Sequence, residues 1–235
     1  MARAQGSDPK VEVVLVRYNQ PEMEEETIRH VLSTADYGNY SLRAHQNERG
    51  IGLPEIWNRL IGQSDAKYLV LLDTDTVPTP GWLRRMVSIA EASGAPVVVP
   101  SSNLVHMSQI EVPFEDYETN LGNIYRFAAE LEDEHGDETR VLPTCSSTCA
   151  LIRRSTWQDV GGFDTDFFLW GGDTEFFYRV SRKHGVLWAR GVYVHHYQHR
   201  STVLAHNDGE IDYNQQRQQA GAMWMRKKGK IDSGT

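Results

Sequence analysis

Apolar residues in the first hundred positions fall into short runs separated by amphipathic stretches. Val11-Glu12-Val13-Val14-Leu15-Val16 predicts a strand from its β-branched content. Glu22 to Leu32 predicts a helix, acidic at its N-terminal end as the helix dipole favours. Tyr40 to His45 alternates weakly and predicts a second strand. Leu53, Ile56, Trp57, Leu60 and Ile61 repeat at the spacing of one helix face, with Pro54 in the first turn. Tyr68-Leu69-Val70-Leu71-Leu72 is unbroken and apolar, the mark of a strand covered on both faces. A helix over Trp82 to Ala92, ending near Gly94, and a buried strand in Pro96-Val97-Val98-Val99-Pro100 complete the series. This βαβαβαβ order predicts an α/β fold with a mostly parallel central sheet and right-handed crossovers.

Beyond Ser101 the pattern fades. Ser101 to Arg140 is polar, acidic and weakly periodic, and its charge run from Glu130 to Glu138 predicts a solvated surface. Thr148 to Ile152 predicts a strand, and Gly161-Gly162-Phe163-Asp164 a turn. Asp173 stands as an N-cap ahead of a helix through Phe176, Phe177 and Val180, which Gly185 closes. Val192-Tyr193-Val194 predicts a final strand leading into His195-His196.

Length and charge narrow the class. A chain of 235 residues suits one domain with a large core, read as a flexible polar leader over 1–10 and a folded domain over 11–231. A net charge of −8 argues against a general nucleic-acid binder. The two cysteines, Cys145 and Cys149, are too few for a disulfide framework and lack the second pair of a structural zinc site. No apolar run approaches the roughly 18 residues of a membrane span, and the N-terminal stretch lacks a signal-like apolar core. A cytoplasmic protein is the expectation, with peripheral membrane contact as an open alternative at Trp224, Met225, Arg226, Lys227, Lys228 and Lys230.

The chemistry concentrates at Asp73-Thr74-Asp75, which closes the apolar run. The carboxyl ends of strands are where open α/β sheets bind ligands. Side chains alternate along a strand, so positions 73 and 75 point the same way. Two converging carboxylates repel unless a cation lies between them, and hard oxygens suit Mg²⁺ or Mn²⁺, which bridge readily to a diphosphate. The other reading of Asp-x-Asp is a plain turn in which Asp accepts locally.

The chain resembles the family 2 glycosyltransferases of the GT-A fold, over nearly all its length from Val11 to about Ile231. The resemblance rests on several segments in order. They are the first strand ending in Tyr18-Asn19, the second strand to Asn47, and Leu71 to Trp82 with its Asp-Thr-Asp. Gly161 to Arg179, Val192 to Ser201, and the basic-aromatic Met223 to Gly229 follow. The resemblance implies metal-assisted transfer of a sugar from a nucleotide-sugar donor to a hydroxyl acceptor, with inversion. It implies Mn²⁺ or Mg²⁺ as cofactor, and Tyr18, Asn19, Asn47, Asp73 and Asp75 on the donor side. Asp75 is implied as a direct metal ligand with His196 as a late one, and Asp173 as the base, beside Trp170, Gly171 and Gly172 on the acceptor side.

Several choices stay open at this level. His195 replaces His196 if the register slips by one. Glu175 is the rival base, and Trp170 and Phe168 either stack on a sugar or fill the core. Gln46-Asn47 stands where relatives carry an acidic residue against the base. An amide there suits uracil, thymine or guanine, so UDP-, GDP- and dTDP-linked donors all remain candidates. Arg17 either reaches a phosphate or forms a salt bridge. Two other functions compete: a catalytically silent nucleotide-sugar-binding module, and a sugar-1-phosphate nucleotidyltransferase. The second wants a Gly-rich basic loop after the first strand, and Arg17-Tyr18-Asn19-Gln20-Pro21 is not one.

Overall fold

The computed structural model describes residues 8–17, 20–47, 50–103, 105, 112, 120–197 and 212–234. Strands β1 (Val11–Arg17), β2 (Tyr40–Gln46) and β3 (Tyr68–Leu72) alternate with helices α1 (Pro21–Thr34) and α2 (Leu53–Gln63). A short β4 (Thr76–Pro78) precedes α3 (Trp82–Ser93) and β5 (Val97–Ser101). Then come α4 (Leu121–His135), β6 (Thr139–Leu142), β7 (Cys149–Arg153), α5 (Arg154–Asp159), α6 (Gly172–Lys183), β8 (Val186–His196) and α7 (Tyr213–Ser233).

The sheet runs in the order β2-β1-β3-β7-β5-β8-β4, with β6 also on β8. β1, β2, β3, β5 and β8 share one direction, while β7, β4 and β6 run against it. The apolar runs behave as two-faced strands. Val11, Val13, Leu15, Tyr68, Val70 and Leu72 pack under α1 and α3, while Val14, Leu69 and Leu71 pack against α2 and α6. One-residue alternation therefore supplies both layers of the core.

Two expectations need correction. The stretch from Ser101 to Arg140 is not all solvated surface: Leu121–His135 is a helix, capped by the Asn120 side chain. Ile124, Ala128 and Leu131 bury a narrow stripe against Val77 and Tyr193. The charge run hid this stripe because it occupies the helix's other faces. Each buried Leu or Ile there contributes about 1.5–3 kcal/mol. The second correction concerns β3, which ends at Leu72, so Asp73 to Asp75 is a turn into β4 rather than a continuing strand.

β8 is the element that joins the halves. Its first part pairs with β5 and β6; after a register shift at Pro100/Ser101 its last part pairs with β4, setting His196 opposite Thr76. Gly191 marks the shift, since a Cβ there would lie 2.3 Å from the Gly136 carbonyl oxygen. Arg85 donates to the carbonyls of both Gly191 and Gly136 and fastens this crossing. α7 lies along α6, with Trp224 edge-on to Tyr178 and Lys227 paired with Asp164 and Asp166. Among the described residues no helix is long and apolar enough to cross a membrane.

Candidate active site

The Asp-Thr-Asp turn is held from three sides. The Asp73 N–H donates to the Thr148 carbonyl at 3.0 Å, and the Thr76 hydroxyl donates back to the Asp73 carbonyl at 2.8 Å. From α1, the buried Thr27 hydroxyl shares its bond between the carbonyls of Thr74 (2.8 Å) and Thr76 (3.0 Å). These contacts bring the two carboxylates together by a turn, so the convergence expected from strand alternation has a different cause.

His196 completes the cluster. Its Nε2 lies 3.2 Å from Asp75 Oδ1 and 3.9 Å from Asp73 Oδ2. Asn103 fixes the histidine's backbone, accepting from its N–H at 2.9 Å and donating to its carbonyl at 3.2 Å. His195 faces the other way, with Nδ1 3.1 Å from the Tyr193 hydroxyl and its ring against Tyr197. The register left open by the sequence is thus fixed by the β4–β8 pairing, with Val77 opposite His195.

The donor set suits a divalent cation. One ligand atom from each of Asp73, Asp75 and His196 lies within 4.8 Å of the others. The Asp73 side chain keeps 40% of its surface on the cleft. It is nevertheless set deep among protein atoms. Burial pushes its pKa up to about 6; His196 draws it down, and the charges of Asp75 and Asp173 push it up. A cation held by two carboxylate oxygens and an imidazole would offset the negative charge gathered here.

Asp173 is tied to the same segment as Asp73: it accepts from Ser147, the residue before Thr148, whose carbonyl holds the Asp73 N–H. It is not the helix cap: Gly171 takes that position in a left-handed conformation, and Asp173 lies inside the first turn. Its Oδ2 accepts from the Ser147 N–H (3.1 Å) and hydroxyl (3.3 Å), and its Oδ1 from the Thr174 N–H (2.7 Å). Gly172 lets α6 approach α2, since a Cβ there would lie 2.6 Å from Pro54 Cγ. Gly171 and Gly172 therefore act here through backbone shape. Glu175 points into the interior and forms a twofold bond to Arg179 at 2.6 and 2.8 Å, away from the position the rival base would need. The aromatic patch divides: Phe167 is buried, Trp170 is half-buried and Phe168 is exposed.

On the donor side, Tyr18 and Asn19 lie outside the described residues. Asn47 closes β2, its N–H donating to the Arg17 carbonyl at 2.8 Å. Its buried Oδ1 has no hydrogen-bond partner among the described residues, and neither has Nε2 of Gln20, which follows β1 as Asn47 follows the neighbouring β2. Arg17 pairs with the buried Glu24 at 2.7 Å, the salt bridge of the two readings. Both cysteines are free and buried, and burial raises both thiols. Sequence reasoning missed Thr27, Asn103, Ser147 and Thr148. Only the hydroxyl-rich run Thr144 to Thr148 carried a visible signal, as polar residues directly before a buried strand.

The family model described as Glycosyl transferase family 2 matches residues 2–161, and the chain belongs to that family. The match covers the Asp-Thr-Asp turn and stops before Asp173 and His196. Among solved structures, a crystal structure of GalNAc-T7 with UDP, GalNAc and Mn²⁺ is similar, with a TM-score of 0.59 at 14% sequence identity. The likeness covers 80% of this chain and 44% of that one, and it shows the GT-A fold; the chain spans less than half the length of that relative. No curated protein matches the chain.

Proposed function

We propose that residues 11–231 form a GT-A domain that transfers a sugar from a nucleoside diphosphate sugar to a hydroxyl acceptor, with inversion at the anomeric carbon. The observation that carries this reading is the meeting of Asp73, Asp75 and His196 at the carboxyl end of β3, with Asp173 bonded to the Ser147–Thr148 segment that also holds Asp73. Asp75 and His196 would hold Mn²⁺ or Mg²⁺, with Asp73 beside them toward the donor. When bound, the ion supplies Lewis-acid stabilisation of charge on the departing diphosphate. Gln20 and Asn47 offer one unused donor and one unused acceptor near the end of the first two strands, as a nucleobase edge requires. Tyr18 and Asn19 belong to the same donor side.

In the transfer, the acceptor oxygen forms its bond to the anomeric carbon as the bond from that carbon to the diphosphate oxygen breaks. The nucleoside diphosphate leaves with the electron pair. Asp173 takes the acceptor's hydroxyl proton. Its lone pairs not engaged by Ser147 and Thr174 are available for that proton. Trp170, with Gly171 and Gly172, shapes the acceptor side.

The test is a screen of UDP-, GDP- and dTDP-sugars for metal-dependent transfer or hydrolysis, with the product's anomeric configuration read by NMR. Inverted product and loss of diphosphate binding in chelator and in Asp75→Ala are expected. Retained configuration, or binding indifferent to metal, overturns the reading. Binding without turnover would favour the silent module, and formation of a nucleotide sugar from its phosphate would favour the nucleotidyltransferase.

A further inference from the structure

The segment Thr144 to Thr148 touches both halves of the site. β7 runs antiparallel to β3 with Cys149 opposite Leu72, so the residues before Cys149 arrive beside Asp73. The Thr148 carbonyl accepts from the Asp73 N–H at 3.0 Å. One residue earlier, Ser147 turns its N–H and hydroxyl to Asp173 Oδ2. Thr144 donates to the Thr174 carbonyl at 2.8 Å, tying the segment to the first turn of α6. Ser146 pins the turn between them, with Oγ 3.0 Å from the Thr148 hydroxyl and accepting the Thr148 N–H at 3.3 Å.

Thr144, Cys145, Ser147 and Thr148 are all buried. A buried hydroxyl is costly unless bonded, and these are spent on the Asp173 carboxylate, on the first turn of α6 and on the turn within the segment. Charge-assisted bonds of this kind fix a carboxylate's orientation as well as its position. Adjacent residues in one segment therefore hold the Asp173 carboxylate and the backbone of Asp73, a hundred positions apart in sequence.

We infer that Thr144–Thr148 is a positioning bracket that sets the spacing between the donor-side Asp73 and the acceptor-side Asp173, with Thr148 and Ser147 as separate arms. This rests on the glycosyl transfer reading and deepens it. Ser147 and Thr148 are positioning residues: Ser147 acts through the Asp173 carboxylate, and Thr148 through the backbone of Asp73.

The test separates the arms. Ser147→Ala removes the hydroxyl but keeps the N–H bond, so kcat should fall about 10-fold or more through a misplaced base, with affinity for Mn²⁺ and nucleoside diphosphate within twofold of wild type. Thr148→Val keeps the side chain's shape but loses the hydroxyl contact to Ser146 that fixes the turn presenting the Thr148 carbonyl to Asp73. It should weaken that affinity about 10- to 100-fold, with a smaller change in kcat at saturating donor. Melting temperatures verify that both variants fold. Parallel losses of kcat and affinity in the two variants, or no change in either, overturn the bracket while leaving the transfer reading intact. A folded wild type that neither binds nucleoside diphosphate nor transfers sugar overturns both.

Discussion

Two acid-threonine-acid triplets, Asp73-Thr74-Asp75 and Asp173-Thr174-Glu175, carry nearly the same side chains and meet different fates. The first is a turn, and its two carboxylates converge with His196. The second lies in the first turn of α6, where residues two apart point to roughly opposite sides. Asp173 accordingly faces the cleft and Ser147, while Glu175 enters the interior and meets Arg179. Identical spacing thus gives two converging carboxylates in one backbone, and in the other one carboxylate held by Ser147 plus one structural ion pair. A spacing motif has chemical meaning only together with the backbone that displays it.

Breaking the second triplet should separate turnover from folding. Asp173→Asn is expected to lower kcat by about 10²- to 10⁴-fold, the usual worth of general-base help. One asparagine oxygen can still accept from Ser147, but the amide N–H₂ then faces the Thr174 N–H. A stability loss of about 1 kcal/mol should accompany the change. Steady-state kinetics with a thermal melt checks both numbers, and near-normal turnover would remove Asp173 from the reaction.

Glu175→Ala should do the reverse. It strands Arg179, whose other bonds go to the carbonyls of Val160 and Gly162, and should cost about 3 kcal/mol of stability. The kcat of the folded fraction should change less than in Asp173→Asn. Denaturant titration beside active-site titration reads this, and a stable but inactive variant would return Glu175 to the chemistry.

The first triplet is sharpened by the histidine pair. His196→Ala should raise the Mn²⁺ concentration for half-maximal diphosphate binding by about 10-fold, comparable with losses at supporting metal contacts. His195→Ala should leave that concentration unchanged and lower the melting temperature instead, because its ring is buried against Tyr193 and Tyr197. A metal effect from His195 alone would mean that the β4–β8 register differs from the one described.

The smallest effect is expected outside both triplets. Lys227→Ala removes the pairs to Asp164 and Asp166 at the foot of α7, partly exposed contacts worth about 1 kcal/mol or less. Urea titration measures it. Flotation with anionic liposomes asks in parallel whether the neighbouring Arg226, Lys228 and Lys230 bind a membrane surface; strong salt-resistant flotation would give this helix a second role.

Much of the first half was legible because each element declares itself locally. The two-faced run Tyr68 to Leu72 and the helix face of Leu53 to Ile61 fall where their periods place them. The helix Leu121–His135 was not legible, because its three-residue stripe is diluted by exposed acids. The short β4 was hidden by Pro78, which reads as a terminator yet sits on the β8 pairing.

By itself the sequence determined the α/β order, the membership of the chain in family 2, and the residue types available for chemistry: carboxylates after β3, carboxylates at the start of α6, and a histidine pair at the end of β8. Tertiary structure decided which of them meet. His196 rather than His195 faces Asp75 because β8 shifts register at Gly191 before pairing with β4, and one residue of register exchanges the faces of a strand. Asp173 comes to Asp73 because β7 runs backward between β3 and β5 and delivers Ser147 and Thr148 to the gap. Periodicity is a property of neighbours along the chain, whereas a catalytic distance is set by the packing of elements a hundred residues apart.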